Sequence, residues 1–169
     1  MAIRNMVYEG DPMLRKTSRE VTVFDDKLGT LLDDMAETMA QQQGVGLAAV
    51  QVGILRRAIV IDIGEGRIEL INPTIIKSSG SQVGSEGCLS YPDQFGIVER
   101  PDNVTVRAQD RHGNWFEING TALLARAFCH EIDHLDGIVF KDHATRMLQP
   151  GEQPPKNKRR ISAHVKVKK

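Results

Sequence analysis

TALLARAFCHEIDHLDG, residues 121–137, decides how the rest of the chain is read. Leu123, Leu124, Ala127 and Phe128 lead into two histidines four apart, a pattern that reads as one half-buried helix. Thr121 is a candidate N-cap, the helix runs to about Leu135, and Gly137 stands just past its end. With about 3.6 residues per turn, His130 and His134 lie about 40° apart around the helix and about 6 Å along it. Both imidazoles can therefore converge on one metal ion. Glu131 stands beside that ion, where a carboxylate can take a proton from a bound water. Two histidines and two acids buried on such a helix without a partner would be costly, which favours a metal over a chance pattern.

A catalytic site of this kind needs a third protein ligand and one position open to water. Cys88 is the first candidate. It lies in Gly84-Ser85-Glu86-Gly87-Cys88-Leu89-Ser90, whose glycines allow a tight backbone bend, and its thiolate suits a soft or borderline cation. Asp133 and Asp136 are alternatives that would otherwise support the histidines. Cys129 points about 100° away from His130 on the helix and reads as a structural cysteine. A second glycine-rich stretch, Gly44-Val45-Gly46-Leu47-Ala48-Ala49-Val50-Gln51, follows a helix and lacks the third glycine and the Lys-Ser/Thr ending of a phosphate loop. Its small residues suggest backbone close to a ligand or another chain, with Gln51 offering an amide donor.

Working outward, Leu28, Leu31, Leu32, Met35 and Met39 mark one buried face of a helix near 25–42. Phe24-Asp25-Asp26 supplies the N-cap and early negative charge, and Gly44 is the expected stop. Short strands are expected at 58–61, 68–71, 104–108 and 115–118. Asn72-Pro73 should break the second of these, and 110–114 should form a hairpin loop. Helix, several strands, then helix is no βαβ alternation. The expected class is α+β, with mostly antiparallel short strands packed around a C-terminal metal-binding helix, plus an N-terminal helix.

A chain of 169 residues is long enough for one compact domain, and 40% apolar with 26% charged residues is ordinary for a globular protein. No apolar run is long enough to span a membrane, and Met1–Asn5 lacks a secretory signal, so the cytoplasm is the expected compartment. Two cysteines are too few for a secreted disulfide scaffold. Residues 156–169 hold seven Lys and Arg and no acid, leaving 15 basic against 22 acidic residues in 1–155. That imbalance argues against a generic nucleic-acid-binding domain, although the tail alone could touch a polyanion. Pro150, Pro154 and Pro155 argue against a C-terminal helix, and 149–169 is expected to be a mobile appendage to a catalytic unit of 1–148.

Taken together, 44–51, Glu86-Gly87-Cys88-Leu89-Ser90 and His130-Glu131-Ile132-Asp133-His134-Leu135-Asp136-Gly137 resemble the three signature motifs of the peptide deformylases, in that family's order and at similar spacing. The resemblance takes in Asp11-Pro12-Met13-Leu14-Arg15 and Ile71-Asn72-Pro73 and spans about residues 2–148. It implies removal of the formyl group from the N-terminal formylmethionine of new polypeptides by a metal-bound hydroxide, with release of formate. By motif it implies Cys88, His130 and His134 as ligands and Glu131 as general acid/base. Gln51 and the Leu89 N–H would stabilise the oxyanion, and Val45 and Gly46 would line an extended substrate. It implies Fe²⁺ as the metal, with Zn²⁺, Ni²⁺ or Co²⁺ able to replace it. N-formylmethionyl peptides are the expected partners, and the basic tail is a candidate contact for ribosomal RNA. Phe95 stands where some members carry Arg, making that edge of the cleft apolar unless the ring is core. Arg126 either approaches the methionine pocket or lies on the surface, and Glu86 and Arg100 are expected to pair. The residues alone also admit a zinc endopeptidase and a non-catalytic RNA-binding protein with a structural metal.

Overall fold

The computed structural model describes residues 2–161, and within them two antiparallel sheets and two α-helices enclose the core. Helix α1 spans Asp26–Gln41 and α2 spans Leu123–Leu135. The first sheet has the order β1-β2-β3-β6-β7: Gly46–Ala48, Ala58–Ile61, Ile68–Ser79, Asn103–Gln109 and Trp115–Thr121. The second has the order β8-β5-β4-β9: Arg146–Met147, Tyr91–Arg100, Ser81–Cys88 and Lys158–Arg160. The expected α+β class and both expected helices are present.

Strand β2 explains why a four-residue apolar run sits at the centre. Ile59 and Ile61 pack with Ala125, Phe128 and Ile132 of α2, whereas Ala58 and Val60 pack with Leu32 and Met35 of α1. A strand covered on both faces needs no polar alternation. Asp25 caps α1 as expected, its side chain accepting a hydrogen bond from the Leu28 N–H at 3.1 Å. Gln43 rather than Gly44 takes the left-handed conformation after that helix, with φ 57°. Gly44 instead leaves room for the Leu89 side chain, because a Cβ there would lie 2.5 Å from Leu89 Cδ1.

Three expectations need correction. Thr121 does not cap α2, because the β7 ladder uses it opposite Asn103, and Ala122 at φ 53° makes the turn into the helix. No side chain caps the helix, and Gln82 fixes the turn by donating to the Ala122 carbonyl at 2.7 Å. Asn72-Pro73 does not end β3. The strand runs on with a register shift between Ile71 and Thr74, and Asn72 turns at φ 51° while its side chain bonds both the N–H and the C=O of Val21. Asn tolerates this conformation better than most residues. Finally, the tail is docked as far as Arg160. β9 pairs with β4, with Ser81 opposite Arg160 and Val83 opposite Lys158, and Arg159 binds the buried Asp102 at 2.6 and 3.1 Å. The expectation of mobility for 162–169 lies outside the described residues.

Candidate metal centre

The α2 helix brings His130 and His134 to the end of β4, where Cys88 closes the strand. One ligand atom from each of these three side chains lies within 4.8 Å of the others. Cys88 Sγ and His134 Nε2 are 3.3 Å apart, and His134 is fully buried. A thiolate and two imidazoles at such separations suit one tetrahedral cation with a fourth position open. His130 is oriented for that task, because its Nδ1 lies 2.7 Å from Glu86 Oε2 and its Nε2 faces the group. The two aspartates considered as ligands are turned elsewhere. Asp133 accepts from Arg100 at 2.7 Å and Asp136 from Arg57 at 2.9 Å. Cys129 lies in the core, where burial pushes its thiol up to about 11.

Glu86 organises this side of the site. It receives Arg100 through two bonds of 3.1 and 2.6 Å, Arg126 Nη1 at 2.9 Å and the imidazole of His130. Burial alone would raise its pKa. The hydrogen bonds from His130 and Arg100 outweigh burial and hold the carboxyl well below the usual carboxylate range. The expected Glu86–Arg100 pair is therefore present and extends to His130, one of the three candidate ligands. Arg126 is buried rather than on the surface, and its stem borders the cleft while Nη1 also bonds the Val98 carbonyl at 3.1 Å.

Glu131 is 4% exposed, and its Oε1 has no hydrogen-bond partner among the described residues. Burial, opposed in part by His130, pushes its carboxyl up to about 7. Its side chain lies against Gly46, where an added Cβ would meet Oε2 at 2.6 Å. Gly46 thus leaves the space that the carboxylate fills. Gln51 sits on the 3₁₀ turn Ala49–Val52. Its Oε1 accepts the Ala48 N–H at 2.9 Å, which turns its Nε2 toward Ser90 Oγ at 3.1 Å and Cys88 Sγ at 3.4 Å. Leu89 and Ser90 form the turn outside the β4–β5 ladder, so the Leu89 N–H stands one residue from the cysteine.

A cleft of about 680 Å³ opens over these groups. Val45, Gly46, Gln51, Cys88, Leu89, His130 and Glu131 all border it, with His134 beneath. Phe95 is no core residue: it is 46% exposed, borders the cleft, and lays its ring across Gly87. Two features escaped the sequence reading. One is Ser90, whose burial behind Cys88 has no local signature. The other is the free edge of β4, which was read as a bend because Gly84 and Gly87 dilute the strand pattern.

The family model described as Polypeptide deformylase matches residues 3–149. A peptide deformylase of Alkaliphilus metalliredigens is 62% identical over 142 residues, covering 84% of this chain and 97% of that one. Another, of Caldanaerobacter subterraneus subsp. tengcongensis, is 57% identical over 152 residues, covering 90% and 96%. A crystal structure of a peptide deformylase from Legionella pneumophila superposes with a TM-score of 0.82 at 45% identity, covering 88% of each chain.

Proposed function

Because this chain belongs to the peptide deformylase family, a metal-dependent hydrolase that removes the formyl group from the N-terminal formylmethionine of nascent polypeptides, we propose a role for each residue of its cleft. Cys88, His130 and His134 hold the metal, and Fe²⁺ is our reading, with Zn²⁺, Ni²⁺ or Co²⁺ able to take its place. When bound, the cation supplies an acidified water and polarises the formyl carbonyl. Glu131 takes the proton from the attacking water and delivers it to the departing amine nitrogen. Its Oε1 has no hydrogen-bond partner among the described residues, and burial raises its pKa into a range that suits both directions of transfer near neutral pH. Gln51 Nε2 and the Leu89 N–H donate to the formyl oxygen as it gains negative charge, and Gln51 is held ready by the Ala48 N–H.

The peptide lies extended between two strand edges. β1 is the outer strand of the first sheet, and β4 has no partner beyond Val83 on the side away from β5 among the described residues. Val45 and Gly46 line one side and Gly87 the other, so the substrate's backbone supplies the missing ladder. Phe95 gives the mouth an apolar edge.

The observation that carries this reading is the convergence of three candidate ligand side chains with the Glu131 carboxylate, whose Oε1 is unpartnered among the described residues, in one cleft. Its test is formate release from a formyl-Met tripeptide by anaerobically prepared, Fe²⁺-loaded protein. Absence of formate, or cleavage of internal bonds in casein in its place, overturns the reading. No helix among the described residues is long and apolar enough to cross a membrane. The cytoplasm is the compartment our reading implies, and residues 1–148 are its catalytic unit. The basic stretch 156–169 is our candidate for a contact with anionic rRNA. Neutralising its cations should weaken salt-sensitive co-sedimentation with ribosomes, and unchanged binding would refute the contact.

A further inference from the structure

We propose that the C-terminal strand forms the far end of the peptide groove, and that Lys156 and Lys158 make the enzyme favour acidic residues at about the fourth to sixth positions of its substrate. This rests on the reading that the formylated peptide lies extended along β4. The formyl end must reach Cys88, His130 and Glu131, at the last residue of β4. The free edge of that strand lies entirely before Cys88, over Gly84–Gly87, so the peptide has to run from Cys88 back toward Gly84. That is antiparallel to β4, the direction in which β9 itself runs, on the same edge.

Substrate and tail therefore meet end to end. At about 3.3 Å per residue, the third or fourth residue of the peptide draws level with Gly84. Asn157 fills that place: a Cβ on Gly84 would lie 2.7 Å from Asn157 Oδ1, and Asn157 Nδ2 is fixed to Gln82 Oε1 at 3.0 Å. From Val83 onward the edge belongs to Lys158–Arg160. A longer peptide has to leave the groove beside the tail.

What it meets there is set by strand alternation. Asn157 and Arg159 turn inward, to Gln82 and Asp102. Lys158 is exposed and lies opposite Val83, itself exposed, on the other face. Lys156 precedes it and is also exposed. Neither lysine has a carboxylate within ion-pair distance among the described residues, whereas the adjacent Arg159 is paired with Asp102. Two unpaired cations at the exit of the groove favour a peptide that carries carboxylates there.

The test compares formyl-Met heptapeptides carrying Asp and Glu, or Lys, at residues four to six, on the wild-type chain and on Lys156→Gln/Lys158→Gln. The wild type should show kcat/KM about three- to tenfold higher for the acidic peptide, mainly through KM. The gap should narrow in about 0.5 M salt and fall below about twofold in the double variant. Equal handling of the two peptides by the wild type, or an undiminished gap in the variant, would overturn the proposal. So would a double substitution that alters only ribosome co-sedimentation, which would assign the lysines to RNA. Wild-type turnover of a formyl-Met tripeptide is read in parallel, and its absence would instead strike the reading of the cleft.

Discussion

At the scale of single residues, the candidate site depends on buried supports, and Glu86 is the foremost of them, binding Arg100, Arg126 and His130 at once. His130, Glu131 and His134 were legible because helical spacing is written into the numbering. Cys88 and Gln51 were legible because each lies in a compact glycine-bearing motif. Glu86 was expected to pair with Arg100, yet nothing local showed that it also holds His130 and Arg126, which come from a helix 40 residues away. Glu86→Gln would leave two buried guanidinium groups short of their counter-charge. It should cost about 3–5 kcal/mol in denaturant unfolding, and weaken metal affinity about 10- to 100-fold in a chelator competition. An unfolding midpoint close to wild type would show that Arg100 and Arg126 find other partners. Gly46 is constrained by Glu131 rather than by backbone conformation. Gly46→Ala should therefore fold but displace the carboxylate, with a fall in kcat of about 100-fold or more on a formyl-Met tripeptide. Full turnover would mean that the Glu131 side chain moves aside without loss.

At the scale of elements, periodicity located both helices and the strands whose residues are apolar throughout or alternate clearly. It failed for β4 and β5. Glycines and polar residues interrupt both, and what makes them strands is their pairing with each other from Gln82–Arg100 to Cys88–Tyr91. It failed at Asn72-Pro73 because β3 changes neighbours there, leaving β2 for β6, and the register shift absorbs the irregular backbone. β9 was invisible because prolines and like charges read as a tail, whereas Gln82 on the neighbouring β4 and the buried Asp102 after β5 hold it in place. Two measurements probe these elements. Asp25→Ala removes the cap of α1 and should cost about 0.5–2 kcal/mol, read as a fall of a few degrees in Tm. Arg159→Ala should abolish hydrogen-exchange protection at Lys158–Arg160 while leaving α2 protected, and retained protection would show that the β4 ladder alone holds the strand.

Across the whole molecule, two sheets each present one strand edge to the same cleft among the described residues, and α2 runs beneath with His130, His134 and Glu131. α1 and α2 cover opposite faces of the first sheet, and α2, which carries His130 and His134, is buried continuously from Ala125 to Ile132. That burial suits a site whose groups must already be in place when substrate arrives. The fold class was readable from element order. The partition into two sheets was not, because it depends on which strands pair. The central claim is that this frame holds one metal through Cys88, His130 and His134 and sets Glu131 apart as the proton carrier. Its most direct test is formate release from a formyl-Met tripeptide by wild type and Glu131→Gln, with the metal content of the same samples measured alongside. The account predicts about one metal per chain in both proteins and loss of nearly all turnover in the variant. Near-normal turnover by Glu131→Gln, or loss of its metal, would contradict it.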